Sequence, residues 1–594
     1  MTHANKTAIA VAVMAAGVLV VSAADAVGRA GTAGSGHTVA DAAYWLGQAI
    51  IFAAPTALVL GRSEPAEPQA AWLALSLGTA TYLVKYVYSP AAFEFSDEFL
   101  HWRTLTALLA SHHLFGVNYA LPVSPGYPGI EVAASALIDL TGLGVFPAGL
   151  IVAGLAHVVF TAALYALLRL VAGSTRVALA AITCYATSPH YEVFDAIFGY
   201  QTLALAFFAL ALLALRNATK QRPAQPRTTG CWALAAAVCA AATAVTHHVT
   251  SYVLVAVATA TALVGLLTGD RKSYAASACF AAGTTALITL WTWRVTPGTI
   301  SYLSPAVGQL ADGVQSALGG HLTKSAAATP LPAPPGDRAA SDLVAILIMV
   351  AIPFGWRRIW RTQRGDAWAL ALGAGAVAYY PSVALPFITT DGSELAGRLL
   401  TFVYIPVGYT LAVALVARPL TFRRKAAAAA AAVTLVAGGI SMGWPPWWER
   451  LPGSYVVDGF ESGITAEGRA AASWAGAMLP PGQRVAADYT NNLLFGTLGG
   501  QNPVNGMAAL FCGGTWTLAD AVLAHKQAVK YLVVDLRTSA YRAPNGSIFV
   551  GASNCPTPIP PADLAKFDAV AGLTRVYDSG NIIVYALSAA AYAP

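Results

Sequence analysis

Long apolar stretches recur along the chain as far as residue 443, and they constrain the fold more than any other feature. A helix needs about 20 apolar residues to cross the hydrocarbon core of a bilayer. The 594 residues are 57% hydrophobic and 10% charged, whereas an average soluble chain is about 25% charged. This excludes a disordered chain, a disulfide-stabilised miniprotein and an ordinary cytosolic enzyme. The sequence predicts a polytopic α-helical membrane protein.

We identify about 13 candidate transmembrane helices, which are 7–24, 42–60, 70–88, 148–171, 176–189, 198–215, 230–246, 251–267, 273–293, 341–356, 367–388, 399–417 and 426–443. The segment 131–145 is apolar but short, and it begins with Glu131. We interpret it as a re-entrant or interfacial helix. The first stretch lacks the polar spacer and cleavage site of a signal peptide, which favours a membrane helix.

The basic residues predict the orientation, because cytoplasmic loops are enriched in Lys and Arg. With the N-terminus in the cytoplasm, the inner side holds 18 of the basic residues before residue 444 and the outer side holds 7. The odd number of spans then places 445–594 outside the cytoplasm. The acidic residues show the opposite bias, with 4 inside and 14 outside. A carboxylate near the bilayer is costly unless it faces a cavity or a partner, so we expect the functional site on the outer side.

The region 445–594 differs in character from the rest and predicts an extracytoplasmic α/β domain. It follows an aromatic stretch, Gly443–Trp448, that is typical of a membrane interface. Residues 465–478 have helical spacing, and we predict strands at 484–488, 530–535 and 581–587. Cys512 and Cys555 are its only cysteines, and an oxidising exterior would allow them to pair. The domain organisation is therefore a transmembrane part, 1–444, followed by this domain.

The densest polar stretch on the outer side follows the third candidate helix and contains Asp97, Glu98, His101 and Arg103. Asp97 and His101 are four residues apart and share a helical face. Neighbouring carboxylates raise one another's pKa, which suits a general base, and they can also hold a divalent cation. The alternative is a pair of solvated surface acids.

Four further groups of polar residues fall on the same side. They are His112 and His113 with the Pro/Gly-rich turn around Tyr127; His190, Glu192 and Asp195 with the nearby Tyr200; the pair His247 and His248; and Asp391, Glu394 and Arg398. The two adjacent histidines suit either a ligand or ordinary hydrogen bonds between helices. Arg398 suits bidentate phosphate binding or a salt bridge to Glu394. We predict that these segments form one shared site.

This arrangement resembles the GT-C superfamily of integral membrane glycosyltransferases. The resemblance is carried by Asp97–Glu98 in an outer loop after a span, by the Tyr127-Pro128-Gly129 turn, and by the Ser188–Asp195 loop. It implies a sugar donor carried on a polyprenyl phosphate and a catalytic acid at Asp97, with Glu98 in support. Two departures are that the motif follows the third candidate span rather than the first, and that the Trp-Trp-Asp signature of oligosaccharyltransferases is absent.

The resemblance thus implies a multi-pass plasma-membrane glycosyltransferase that acts in cell-envelope glycan or glycoprotein assembly. Its expected partners are the polyprenyl-phosphate sugar donor, membrane lipid and a glycan or protein acceptor, with Arg398, Arg103 or Lys85 stabilising the leaving phosphate. A divalent cation, Mg²⁺ or Mn²⁺, is a possible cofactor. No basic patch with interleaved aromatic residues accompanies the net charge of +6, which argues against nucleic acid. The alternatives are a transporter or flippase, whose sites lie at the bilayer midplane, and a non-catalytic scaffold.

Overall fold

The computed structural model describes residues 3–30, 35–61, 63–220, 226–319, 331–388, 392–416, 421–453, 455–550 and 555–592. The chain up to residue 441 is almost entirely helical. Its helices are α1 His3–Ala30, α2 Ser35–Val59, α3 Glu67–Tyr88, α4 Ser96–Ser111, α5 Gly129–Thr141, α6 Val145–Ala172, α7 Thr175–Tyr185, α8 Tyr200–Lys220, α9 Pro226–Thr246, α10 His248–Thr268, α11 Arg271–Arg294, α12 Gly298–Leu318, α13 Pro335–Thr362, α14 Ala367–Gly375, α15 Tyr379–Ala384, α16 Gly392–Val416 and α17 Phe422–Ser441.

Within the described residues, 10 segments are long and apolar enough to cross a membrane, one of them formed by α14 and α15 together. This confirms a multi-pass membrane protein. The helices α3, α7 and α17 lie on the other three predicted spans, so the number 13 stays a prediction. The structure also contains α12, which is not among the predicted spans. The predicted short helix at 131–145 is α5, which ends at Gly142 with a φ of 72°.

The C-terminal region is a small mixed sheet flanked by short helices. Its elements are α18 Ala466–Met478, β1 Arg484–Ala486, α19 Tyr489–Thr497, β2 Asn502–Pro503, α20 Ala508–Phe511, α21 Leu518–Lys526, β3 Tyr531–Asp535, α22 Pro561–Ala565, β4 Leu573–Asp578 and β5 Ile582–Leu587. The strand order is β2-β1-β3-β5-β4. Strand β1 pairs in parallel with β2 and β3, whereas β5 pairs antiparallel with β3 and β4. The three predicted strands are therefore present, and β2 and β4 complete the sheet.

Local sequence explains several of these elements. Thr465 caps α18 by accepting a hydrogen bond from the Gly468 amide at 3.1 Å, which satisfies one of the free donors of the first turn. Strand β5 is a continuous run of apolar residues, and five of its six residues are buried, which is typical of a strand covered on both faces. Cys512 and Cys555 form a disulfide with a Cα–Cα separation of 5.7 Å.

The C-terminal region packs directly on α4. Phe99, on α4, belongs to an apolar cluster with Ala471 of α18 and Phe495 of α19. Polar contacts cross the same boundary, because Tyr88 donates a hydrogen bond to Glu449 at 3.4 Å and Arg469 donates one to the Phe93 carbonyl at 3.4 Å. The N-terminus of α4, which carries the densest group of predicted site residues, therefore lies at the junction of the membrane helices and the sheet.

Candidate active site

A cavity of about 550 Å³ opens at this junction. Its walls come from the first turn of α4, the loop between α7 and α8, α15 and the turn after it, the first turns of α16, and three segments that follow α17. Its volume falls in the range of small-molecule sites, about 300–1,000 Å³. Of the predicted site residues, the structure brings Asp97, His190, Glu394 and Arg398 together on this cavity.

Asp97 lies in the first turn of α4, where a carboxylate is favoured by the positive end of the helix dipole. Its side chain faces the cavity. Burial raises the pKa of Asp97, while the nearby charges of Arg398 and His101 lower it. The carboxylate is thus held in a weakly solvated position with a guanidinium close by.

Glu98 faces the other way. Its Oε2 accepts hydrogen bonds from the Glu94 and Phe95 amides, both at 3.3 Å, and its Oε1 pairs with the Lys85 ammonium. The side chains of Glu98 and Lys85 are both 0% exposed. Glu98 also accepts a hydrogen bond from the Phe198 amide at 3.2 Å. Neither residue lines the cavity; together they fix the turn that carries Asp97 and the loop before α8.

Among the described residues, Arg398 is the one lysine or arginine that lines the cavity. Its Nη2 lies 2.9 Å from Glu394 Oε1, and its guanidinium lies 5.4 Å from the centre of the Phe194 ring. The Arg398 side chain is 28% exposed and that of Glu394 is 69% exposed. The salt bridge predicted as the alternative is therefore present, but Arg398 also faces the cavity, and an exposed pair of this kind contributes little, about 0–1 kcal/mol. Asp391, predicted with this group, lies outside the described residues.

His190 lies against α16. A Cβ added to Gly397 would sit 2.4 Å from His190 Nε2, so this close approach requires glycine. Burial and then the charge of Arg398 lower the pKa of His190 to about 3, which leaves the ring neutral at pH 7. Its Nδ1 is buried without a hydrogen-bond partner among the described residues. A neutral imidazole with a free nitrogen beside Arg398 is available to a bound ligand.

Glu192 and Asp195 hold the same loop but do not line the cavity. Glu192 accepts hydrogen bonds from Gln48 Nε2 at 2.6 Å and the Tyr44 hydroxyl at 3.2 Å. Asp195 accepts one from Gln201 Nε2 at 2.9 Å. Burial raises the pKa of each carboxyl to about 7. The structure gives them positions that connect the loop to α2 and α8.

A second polar cluster lies behind Asp97. His101 Nδ1 is 2.7 Å from Glu131 Oε1, and the Tyr200 ring lies between the rings of His101 and His247, at centroid distances of 4.5 and 4.2 Å. The His248 ring continues the stack, 5.0 Å from His247.

The cluster also includes Tyr127, whose ring is 5.1 Å from that of His248 and whose hydroxyl is within 3.2 Å of Thr296 and Thr299. These residues are brought together next to the cavity without lining it.

Three predicted residues lie elsewhere. His112 and His113 are exposed at the end of α4, where His112 adopts a φ of 56°. Arg103 faces the C-terminal region, close to Gly500. None of the three lines the cavity.

Sequence reasoning missed the cavity wall that follows α17, formed by Trp444, Phe460, Glu461 and Tyr489. Trp444 had been interpreted only as a membrane-interface residue. The one local signal was the turn-forming sequence Asp458-Gly459-Phe460-Glu461-Ser462-Gly463, and it gave no indication of what the turn would contact.

Four side chains of the cavity lining could contact a metal ion, namely Asp97, His190, Glu394 and Glu461. The described residues contain no group of three or more His, Cys, Asp or Glu side chains that could hold one. In the cavity, Glu394 is already paired with Arg398. A divalent cation therefore stays a prediction.

Comparison with known proteins gives likeness of structure rather than of sequence. No protein-family model matches the chain, and no curated protein sequence matches it. Among solved structures, the apo oligosaccharyltransferase of Archaeoglobus fulgidus matches with a TM-score of 0.53 at 12% identity, over 86% of this chain and 80% of that one. ArnT of Cupriavidus metallidurans bound to undecaprenyl phosphate matches with a TM-score of 0.50 at 13% identity, over 89% of this chain and 100% of that one. The archaeal oligosaccharyltransferase AglB, in complex with an inhibitory peptide and a dolichol-phosphate, gives 0.51 at 13% identity, over 87% and 74%. The chain therefore shares the fold of these solved membrane proteins.

Proposed function

We propose that this chain is a membrane glycosyltransferase that moves a sugar from a polyprenyl-phosphate donor to an extracytoplasmic acceptor, in the assembly of a cell-envelope glycan or glycoprotein. The observation that carries the proposal is the placement of Asp97 and Arg398 on one cavity in a chain with the GT-C fold. A base and a phosphate-binding cation are the two groups that such a transfer requires.

In this proposal Asp97 is the general base that takes the proton from the acceptor hydroxyl. A raised pKa makes an ionised carboxylate a better base near neutral pH. Arg398 binds the donor phosphate through its planar fork of N–H donors. As the acceptor oxygen bonds to the anomeric carbon, the bond from that carbon to the phosphate oxygen breaks, and Arg398 stabilises the negative charge that develops on the departing phosphate. The phosphate displaces the exposed Glu394 carboxylate from the guanidinium.

The apolar lining of the cavity supports a lipid donor. Val383, Pro386 and Leu400 line it beside Arg398, and they belong to segments apolar enough to cross a membrane. A prenyl chain that remains in the bilayer would therefore bring its phosphate to this position. Two of the structural neighbours were solved with polyprenyl phosphates, dolichol-phosphate and undecaprenyl phosphate.

For the orientation, we propose that 445–594 is an extracytoplasmic domain and that the N-terminus is cytoplasmic. The Cys512–Cys555 disulfide supports this, because disulfides persist in oxidising compartments. The bias of Lys and Arg toward the opposite loops supports it independently.

The test is transfer by the purified protein in lipid nanodiscs. Undecaprenyl phosphates that carry a radiolabelled hexose or pentose are supplied with a cell-envelope acceptor fraction, and incorporation is compared between the parent and Asp97→Asn. Transfer that depends on Asp97 supports the proposal. Movement of the labelled lipid between leaflets without any transfer would instead favour the flippase.

A further inference from the structure

The cavity wall that follows α17 is aromatic and continuous. The rings of Trp444 and Phe460 are 4.6 Å apart, and those of Phe460 and Tyr489 are 5.8 Å apart, both edge to face. Aromatic faces bind apolar surfaces while their edges tolerate polar neighbours. This wall therefore suits a ligand that has both C–H and hydroxyl groups.

Glu461 places a free carboxyl oxygen in the same wall. Its side chain is 4% exposed, and its Oε1 accepts a hydrogen bond from the Ser96 amide at 3.4 Å. Its Oε2 is buried and has no hydrogen-bond partner among the described residues. Burial and then the charge of Glu449 raise the pKa of Glu461. Because a buried polar atom without a partner is costly, this oxygen is best explained by a ligand hydroxyl that completes it.

The backbone that carries this wall is strained. Asp458 and Phe460 are not glycines, yet their φ angles are 43° and 54°. Such conformations cost about 1–3 kcal/mol each and persist only where the surroundings enforce them. Asp458 accepts hydrogen bonds from Thr490 at 3.2 and 3.0 Å, and Glu449 accepts them from Ser462 at 2.9 and 2.7 Å. Anchors on both sides thus hold Phe460 and Glu461 toward the cavity.

We propose that Trp444, Phe460, Glu461 and Tyr489 form a subsite for the neutral sugar ring of the donor, with the ring against the aromatic wall and one of its hydroxyls bonded to Glu461. The inference rests on the proposed function. The sugar is bonded directly to the phosphate, so a ligand whose phosphate is bound by Arg398 has its sugar in the same cavity, which this wall lines.

The experiment measures binding rather than transfer. Dissociation constants are determined in nanodiscs by microscale thermophoresis for undecaprenyl phosphate and for its glucose, mannose, galactose and arabinose esters. The affinity of each ester divided by that of bare undecaprenyl phosphate reports recognition of the sugar alone. In the parent protein we expect at least one ester to bind about tenfold or more tightly than the bare lipid.

Glu461→Gln keeps the volume and the acceptor for Ser96, and Phe460→Leu removes the ring but keeps an apolar side chain. Each variant should lower the ratio of ester affinity to bare-lipid affinity at least about fivefold. Each should leave the affinity for bare undecaprenyl phosphate within about twofold of the parent value. The matched control is Glu67→Gln, a glutamate that pairs with Arg169 at 3.2 Å away from the cavity, and it should change neither value. If Glu461→Gln does not fold, Phe460→Leu decides by the same criterion.

The same measurements distinguish an error in the proposed function from an error in the sugar subsite. If bare undecaprenyl phosphate does not bind the parent, or binds Arg398→Ala equally well, the proposed function is wrong. The sugar subsite is wrong, and the proposed function stands, if the bare lipid binds through Arg398 but every sugar ester binds the parent no more tightly than the bare lipid. The same conclusion follows if the affinity ratio is unchanged in Glu461→Gln, or in Phe460→Leu where Glu461→Gln does not fold.

Discussion

Asp97 and Glu98 are consecutive in the sequence but face opposite sides of the first turn of α4. Asp97 lines the cavity, whereas Glu98 is buried against Lys85. Because one carboxylate faces the cavity and the other is buried in an ion pair, substitutions of the two should give different results.

Asp97→Asn should abolish transfer while leaving the fold intact. The amide keeps the size of the side chain but not its basicity, and a general base contributes about 10²–10⁴-fold in rate. We expect at least about a hundredfold loss of transfer in the nanodisc assay, or about 3 kcal/mol of barrier, with an unchanged affinity for undecaprenyl phosphate. A variant that transfers at the parent rate would contradict this role. Loss of parent activity with a chelator, restored by Mg²⁺ or Mn²⁺, would assign Asp97 to metal binding instead.

Glu98→Gln should act mainly on stability. The substitution leaves the Lys85 ammonium buried without a counter-charge, and breaking such a pair costs about 3–5 kcal/mol. Thermal unfolding of the purified variant should show a clear decrease in Tm. Glu67→Gln breaks an exposed pair and should cost at most about 1 kcal/mol. Equal decreases in Tm for the two variants would show that the buried ion pair stabilises the protein no more than the exposed one.

Arg398→Ala should weaken the binding of undecaprenyl phosphate, and Arg398→Lys should restore only part of it. Charge-assisted hydrogen bonds are about twice as strong as neutral ones, and lysine cannot bind phosphate as a fork. The measurement is the dissociation constant in nanodiscs. Unchanged affinity in both variants would mean that Arg398 serves only its salt bridge to Glu394.

The orientation can be tested with single added cysteines. Tyr541, in the C-terminal region, is 63% exposed, and Arg364, in the loop before α14, is also exposed. In intact cells, Tyr541→Cys should react with a membrane-impermeant maleimide and Arg364→Cys should react only after lysis. The reverse pattern would invert the topology and move the cavity to the cytoplasmic side.

Glu449 predicts a pH dependence of stability. Burial raises its pKa from 4.5 to about 8, so between these values the folded protein holds a proton that the unfolded chain releases. Stability should therefore fall as the pH rises through this window, by up to about 1.4 kcal/mol per pH unit for one group. Glu449→Gln should flatten the decrease in Tm between pH 5 and 8. The pKa values of Glu192 and Asp195 are also raised, so these two residues will maintain part of the decrease in the variant. An identical pH profile in the variant would contradict the prediction.

The sequence predicted the features that depend on neighbours along the chain. Apolar length located the membrane helices, and short runs rich in apolar and β-branched residues located β1, β3 and β5. It also placed Asp97, His190 and Arg398 on one side of the membrane, where the structure joins them. The residues alone could not distinguish Asp97 from Glu98, because that depends on Lys85 of α3; only the resemblance to the GT-C superfamily gave the two carboxylates different roles. The sequence could not find Glu461, because the contact with Ser96 spans 365 residues and no local periodicity encodes such a distance.

That separation has a consequence for biogenesis. Ser96, the residue before Asp97, is synthesised 365 residues before Glu461. At about 5–20 residues per second, the ribosome needs roughly 20–70 s to synthesise the chain from Ser96 to Glu461. During that interval the membrane helices can insert, but the cavity has only part of its lining. The cavity of a nascent chain is therefore incomplete until the last region has been translated and has folded onto α4.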